Sequence, residues 1–324
     1  MANTKEIQRR IKSVVSTKKI TRAMEMVAAS KMRKAIEGVL KTRTYANLSW
    51  TTVLNLSKQA KKKYIYHPLL TPREKVNKVA IILLSSNRGL CGGFNSAIVS
   101  KAHQSIKKHQ VNGEDIKTDF VVIGKKGQAI YTRYRHHVLA EFEKTDVAVS
   151  VDEVIPLATM VRDDFLRGDY DKIFVAYTDY VSAGTQIPRV KQLLPVDIDS
   201  QDEYLGIMGV DTRVGMDKSY IQDKENKYLL GSDDETYTHA FTFEPSESEV
   251  LDDMIPRLIE VQLFQAMLES NASEHSARMS AMHKATEAAD DMHKELVLYY
   301  NKARQASITN EIAEIAAGAG AISK

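Results

Sequence analysis

Towards the end of the chain, apolar or small residues recur at Met282, Ala285, Ala289, Met292, Leu296, Tyr299, Ala303 and Ala306. Steps that alternate three and four residues are the seam of a coiled coil. Val261, Phe264 and Leu268 lie on the same register further back, which then lands on Asn271, His275 and Arg278 and is interrupted there. Residues 246–317 contain no glycine and one proline, Pro256, near the start, where a helix tolerates it. At about 1.5 Å per residue such a helix reaches on the order of 100 Å. A domain of this size is too small to surround that rod, so it must pack on another long helix or on another protein.

The partner within the chain is at the other end. Residues 4–66 carry one glycine, Gly38, and no proline. Ile7, Ile11 and Val14, then Ile20, Met24, Val27 and Ala28, form a less regular helical stripe. Residues 1–67 hold 16 Lys+Arg against 3 Asp+Glu, whereas residues 247–316 hold 6 against 13. A basic and an acidic helix of similar length suit an antiparallel pair. A seam of Ala and Met, with little Leu, predicts a slender stalk with close approach.

Between the helices the pattern changes period. Residues 76–84 are a near-continuous apolar run, the mark of a strand buried on both faces. A helix over 95–109, a strand over 119–124, a helix over 125–134 and a strand over 137–142 follow. Then come a helix over 151–167, stopped by Gly168, a strand over 172–177, and an edge strand over 186–194, where Pro188 is tolerated. Alternating strands and helices predict a small, mostly parallel α/β sheet of Rossmann-like type. The expected class is therefore α/β. The N-terminal stalk helix takes 1–67, the head 68–195, an acidic, glycine-containing insertion on the head 196–242, and the C-terminal stalk helix 243–324.

Composition narrows the rest. Among 324 residues, 43% are hydrophobic and 27% charged, ordinary values for a globular protein. No run of about 18 apolar residues is present, and the first residues lack the apolar core of a secretory signal. Cys91 is the only cysteine, which excludes an intrachain disulfide and suits a cytosol-like compartment. The nine histidines show no repeated metal-ligand spacing, so no metal site and no cofactor are expected.

Three features carry candidate chemistry. Residues 85–95, Ser-Ser-Asn-Arg-Gly-Leu-Cys-Gly-Gly-Phe-Asn, join a strand to a helix. Such a turn either cradles a phosphate at the helix N-terminus or lets this segment approach another backbone. The pattern is neither Gly-x-Gly-x-x-Gly nor a P-loop, which favours an interaction loop. Cys91 is either a nucleophile beside His103 or His109, or a small buried residue; no base stands in its own motif. The basic N-terminal helix suits nucleic acid or an acidic protein surface, and the lack of aromatics before Tyr45 favours protein.

Residues 20–35, Ile-Thr-Arg-Ala-Met-Glu-Met-Val-Ala-Ala-Ser-Lys-Met-Arg-Lys-Ala, closely resemble the N-terminal helix of the gamma subunit of F-type ATP synthases. Residues 87–95 resemble that family's Gly-rich loop, with Asn87 where many members carry Asp. Residues 302–315 followed by Gly318-Ala319 are similar to its C-terminal signature. The segment 196–242 is longer than in most bacterial members. It holds no cysteine, so the thiol switch of plastid members does not carry over.

The resemblance implies a non-catalytic rotor. A coiled-coil shaft would stand in a ring of alternating alpha and beta subunits, with its foot on the epsilon subunit and the membrane-embedded c-ring. Nucleic acid would not be a partner, and the membrane would be met only through the complex, on the cytoplasmic face of a bacterial inner membrane or its organellar equivalent. By the same resemblance Met24, Lys18, Arg22, Lys31 and Arg33 face a lever loop of beta. Arg88, Cys91, Arg304, Gln305, Thr309 and Glu311 fall where the family makes rotor–stator contacts. The alternative for each is packing within the stalk itself.

Overall fold

A computed structural model describes residues 4–62, 67–110, 116–146, 150–196, 244 and 246–322. The expected insertion at 196–242 lies, apart from Val196, outside the described residues. The elements are α1 (Thr4–Lys62), β1 (Lys78–Leu84), α2 (Phe94–Gln110), β2 (Lys117–Ile123), α3 (Ala129–Tyr134), β3 (His137–Phe142), α4 (Ile155–Arg167), β4 (Lys172–Ser182), β5 (Thr185–Leu194) and α5 (Glu247–Ile322). They form two compact units: residues 1–28 with 278–324, and residues 29–277.

The first unit is an antiparallel helix pair. On α1 the covered positions include Ile7, Ile11, Val14, Lys18, Thr21, Glu25 and Ala28; on α5 they include Met282, Thr286, Ala289, His293, Leu296, Tyr300 and Ala303. Both sets step by four and three, as a coiled coil requires. The seam expected from hydrophobicity is corrected here. Ile20 and Val27 are 60% and 56% exposed, and Met292 and Tyr299 are also mostly exposed. Moving one position along a helix turns the side chain by about 100°, so His293 and Tyr300 take the inward places of Met292 and Tyr299.

Polar partners decide that register. Lys18 pairs with Asp290. The hydroxyl of Thr286 donates to that of Thr21 at 2.8 Å, and Thr21 donates to the Lys18 carbonyl at 3.1 Å. Glu25 Oε1 lies 3.1 Å from His283 Nδ1. Hydrogen bonds to Lys18 and Lys294 hold the Asp290 carboxyl down at about 2. Carried on in this register, the start of α1 comes level with about residue 304 of α5. From Arg304 to Ala316 every α5 residue is exposed.

The second unit holds a five-stranded sheet in the order β3-β2-β1-β4-β5. β1 is parallel to β2 and β4, β2 is parallel to β3, and β5 runs antiparallel at the edge. Pro188 sits on that edge opposite Thr178, where a missing N–H is tolerated. Alternate residues of each strand enter two cores. Val79, Ile81, Leu83, Phe120 and Val122 pack on Ile98, Val99, Ala102 and Ile106 of α2 and on Ile130 of α3. Ala80, Ile82, Leu84, Ile173 and Val175 pack with α4, with Val39 of α1 and with Leu251–Leu268 of α5.

Here α5 departs from the expected seam. Val261, Phe264 and Leu268 are buried, but so is every residue from Val261 to Ser276, on all sides of the helix. This stretch is a core helix surrounded by the domain, so the expectation that nothing could surround the rod fails for these four turns. α1 approaches closely at Gly38, where an added Cβ would stand 3.0 Å from Leu268 Cδ2.

Candidate functional site

In a doubly wound sheet the ligand crevice opens at the carboxyl ends of the strands, where the order reverses. That point lies between β1 and β4. It is filled by the chain itself, because α5 lies across the strand ends. Ser273 Oγ donates to the Thr178 carbonyl of β4 at 3.0 Å, and Lys144, two residues beyond β3, reaches Glu274 at 2.9 Å and Ser270 at 3.1 Å. The turns after β1 and β2 close on each other. Ser85 Oγ donates to the Gly124 carbonyl at 2.7 Å, and Lys126 N donates to the Ser86 carbonyl at 2.9 Å. A Cβ on Gly127 would fall 2.5 Å from Val122 Cγ1.

The Gly-rich loop is held from within. Asn95 Oδ1 accepts from Ser86 N at 3.0 Å, and its Nδ2 donates to Ser86 Oγ at 2.7 Å and to Cys91 Sγ at 3.2 Å. Cys91 is buried, and His103 is engaged with His136 at 2.9 Å. Cys91 is thus the small buried residue of the two readings. His136 lies just before β3, and both rings are pushed below the ordinary histidine pKa, by burial first. Asn87 makes a two-point contact with the Lys144 peptide: Nδ2 donates to O at 2.6 Å and Oδ1 accepts from N at 3.2 Å. A carboxylate at this position could accept but not donate.

Sequence reasoning missed Leu90. It is 62% exposed and holds φ at +62°, the left-handed region that costs an L-residue roughly 1–2 kcal/mol. No sequence signal marks a leucine for positive φ. Leu90→Gly should therefore change folding stability by no more than about 1 kcal/mol, measured by chemical denaturation. A loss like that of a buried leucine, about 2–5 kcal/mol, would mean that the side chain is held by its own fold.

The other candidates divide between the two units. In the first, Met24 is half-buried, Lys18 is paired as above, and Arg22 reaches Glu25 at 3.4 Å. Arg304, Gln305, Thr309 and Glu311 all lie on the uncovered end of α5. In the second, Arg33 is exposed and Lys31 pairs with Asp146 at 2.5 Å. Lys31 and Arg88 are brought together around Asp146: the bonded Lys31 holds its carboxyl below the ordinary range against partial burial, with Arg88 and His275 adding positive potential.

Known proteins place this architecture. A family model described as ATP synthase matches residues 3–322. The ATP synthase gamma chain of Legionella pneumophila (strain Corby) is 36% identical over 322 residues, covering 99% of this chain and 100% of that one. The gamma chain of Herpetosiphon aurantiacus is 38% identical over 329 residues, covering both completely. Among solved structures, the central stalk/c-ring of the Tetrahymena thermophila mitochondrial ATP synthase aligns with TM-score 0.56 at 22% identity, covering 82% of this chain and 99% of that one. A chain of the Euglena gracilis mitochondrial ATP synthase, OSCP/F1/c-ring, aligns with TM-score 0.57 at 14% identity, covering 98% and 94%. With full-length relatives of this identity, the chain belongs to the ATP synthase gamma family.

Proposed function

We propose that this chain is the central-stalk rotor subunit of an F-type ATP synthase, coupling ion-driven rotation of a c-ring to the conformational cycle of the catalytic beta subunits. The carrying observation is a pair of continuous helices, 59 and 76 residues long, the longer of which extends uncovered from Arg304 to Ala316. On that end Ile308, Ile312 and Ile315 are exposed at a spacing that puts them on one face. They suit an apolar sleeve in a ring of alpha and beta subunits. A shaft with unlike faces biases each of three sites toward a different state, so affinity changes drive synthesis and the chain itself does no bond chemistry.

The stator contacts fall into three groups. Arg304, Gln305, Thr309 and Glu311 meet the ring near the tip. Arg88 and Leu90 meet it from the Gly-rich loop, which Cys91 supports from beneath. Met24, Lys18, Arg22, Lys31 and Arg33 face an acidic lever of beta. The intramolecular partners of Lys18, Arg22 and Lys31 allow them to exchange one carboxylate for another as the shaft turns. The foot rests on epsilon and the c-ring, and the chain meets the membrane through the complex. No helix among the described residues is long and apolar enough to cross it. The bacterial relatives favour the cytoplasmic face of an inner membrane.

Met24→Lys tests the lever contact by adding a competing cation to the stretch of α1 proposed to face it. In inverted membrane vesicles, ATP hydrolysis should persist while ions pumped per ATP fall several-fold. An unchanged ratio would remove Met24 from the contact.

A further inference from the structure

We propose that the polar band Asn271–Ser276 of α5 is a rotational lock, fixing the azimuth of the helix within the head so that torque passes between sheet and shaft without slip. The proposal rests on the rotor reading above and concerns how the second unit grips its own helix. Between Leu251 and Leu268 that grip is mainly apolar, and apolar packing is non-directional. Directional contacts there are those of Asp252 with His67, at 2.9 Å, and of Gln265, which accepts from Thr42 at 2.8 Å. One turn later the helix stays fully buried but becomes Asn-Ala-Ser-Glu-His-Ser. Apolar residues would fill such a site at least as well, because a buried polar group is tolerated only when it is hydrogen-bonded.

The partners are main-chain carbonyls, which cannot swing away. On one side Asn271 Nδ2 donates to the Thr145 carbonyl at 3.4 Å, and His275 Nε2 donates to that of Asp146 at 2.7 Å. On the other, Ser273 Oγ donates to the Thr178 carbonyl at 3.0 Å, and Ser276 Oγ donates to that of Ala183 at 2.8 Å. Residues 271 and 275 share one helical face, and 273 and 276 lie roughly opposite. The segment after β3 and the β4–β5 hairpin therefore hold α5 from two sides. A turn of the helix by one residue position, about 100°, would break all four bonds at once, because hydrogen bonds are directional.

The test uses the assembled complex in inverted vesicles and compares ions pumped per ATP hydrolysed as an opposing gradient is raised. Ser273→Ala with Ser276→Ala removes one side of the band with almost no change in volume. ATP hydrolysis should remain near wild type while the pumping ratio falls at least twofold under load. Ser273→Thr with Ser276→Thr, which keeps both hydroxyls, should recover it. Should the double alanine variant not assemble, Ser276→Ala alone is measured in the same way and should show a smaller loss under load. A wild-type ratio at every load in an assembled alanine variant overturns the lock and leaves the rotor reading intact. Failure of the wild-type complex to pump at all would instead overturn the rotor reading.

Discussion

Glu274→Ala is expected to lower the unfolding free energy by about 3–5 kcal/mol, the cost of removing one member of a buried ion pair. Lys144 and Glu274 are only 2% and 7% exposed, and their charged atoms are 2.9 Å apart. Ser270 Oγ and the ring of Phe94 complete the surroundings of the ammonium. Without the carboxylate a full charge stays buried against one hydroxyl and one aromatic face. The cost is therefore that of an orphaned charge, larger than the net worth of the pair. Replacing both partners, Lys144→Met with Glu274→Leu, should recover most of the loss. Denaturant unfolding of the wild type, both single variants and the double variant measures this as a cycle. A mild single variant would show that water reaches the site.

The second large effect is a dependence on pH. Glu269 on α5 is buried beside Asp179 of β4, and its pKa is pushed up to about 8, by burial first and by the negative charge of Asp179 next. Asp179 is in turn bound to Arg189 at 2.9 Å, Lys191 adds a weaker opposing charge, and Gln265 donates to Glu269 Oε1 at 3.3 Å. Among the described residues Glu269 Oε2 and Asp179 Oδ1 have no hydrogen-bond partner, a lack that a proton shared between the two carboxyls would meet. The folded chain thus keeps a proton that the unfolded chain, with an ordinary glutamate pKa of about 4.3, has lost. This stabilisation is fully present below about pH 4 and declines as pH rises towards 8, by at most about 1.4 kcal/mol per pH unit. It is absent above that. Glu269→Gln should match the wild type near pH 5, exceed it at pH 9 and lose this slope. Melting temperatures across that range check it; parallel curves would show that Glu269 is ionised in the folded state throughout.

Much of this was legible in the residues. The five strands were, because runs such as 78–84 are apolar on both faces, and the helix stops were, because Gly168 takes the left-handed cap of α4 at φ +88°. β4 runs to Ser182, five residues past the expected end. Thr178 and Asp179 are polar, and pairing with β5 together with packing under α5 keeps that ribbon extended. The helix seam was misplaced by one residue at Met292 and Tyr299 because hydrophobicity ranks Met292 above its neighbour His293 and cannot choose between Tyr299 and Tyr300, which are identical. At the Gly-rich loop the residues named from the sequence were Arg88 and Cys91; Cys91 is buried and Leu90 beside it is exposed, a difference set by the loop's backbone and not by residue type.

By itself the sequence determined that there are two long helices and an α/β sheet between them, and to which family they belong. Those properties are local: the absence of glycine and proline, the periods of 3.6 and 2, and three short motifs each act within a few residues. Only the tertiary structure decided which way each helix faces. Lys18 turns inward because Asp290 is there to meet it. Asn271, Ser273, His275 and Ser276 are core residues because carbonyls some 90 to 130 positions away accept their protons. A polar side chain does not encode its own burial; the partner that makes burial tolerable is remote in sequence, and folding alone brings it near.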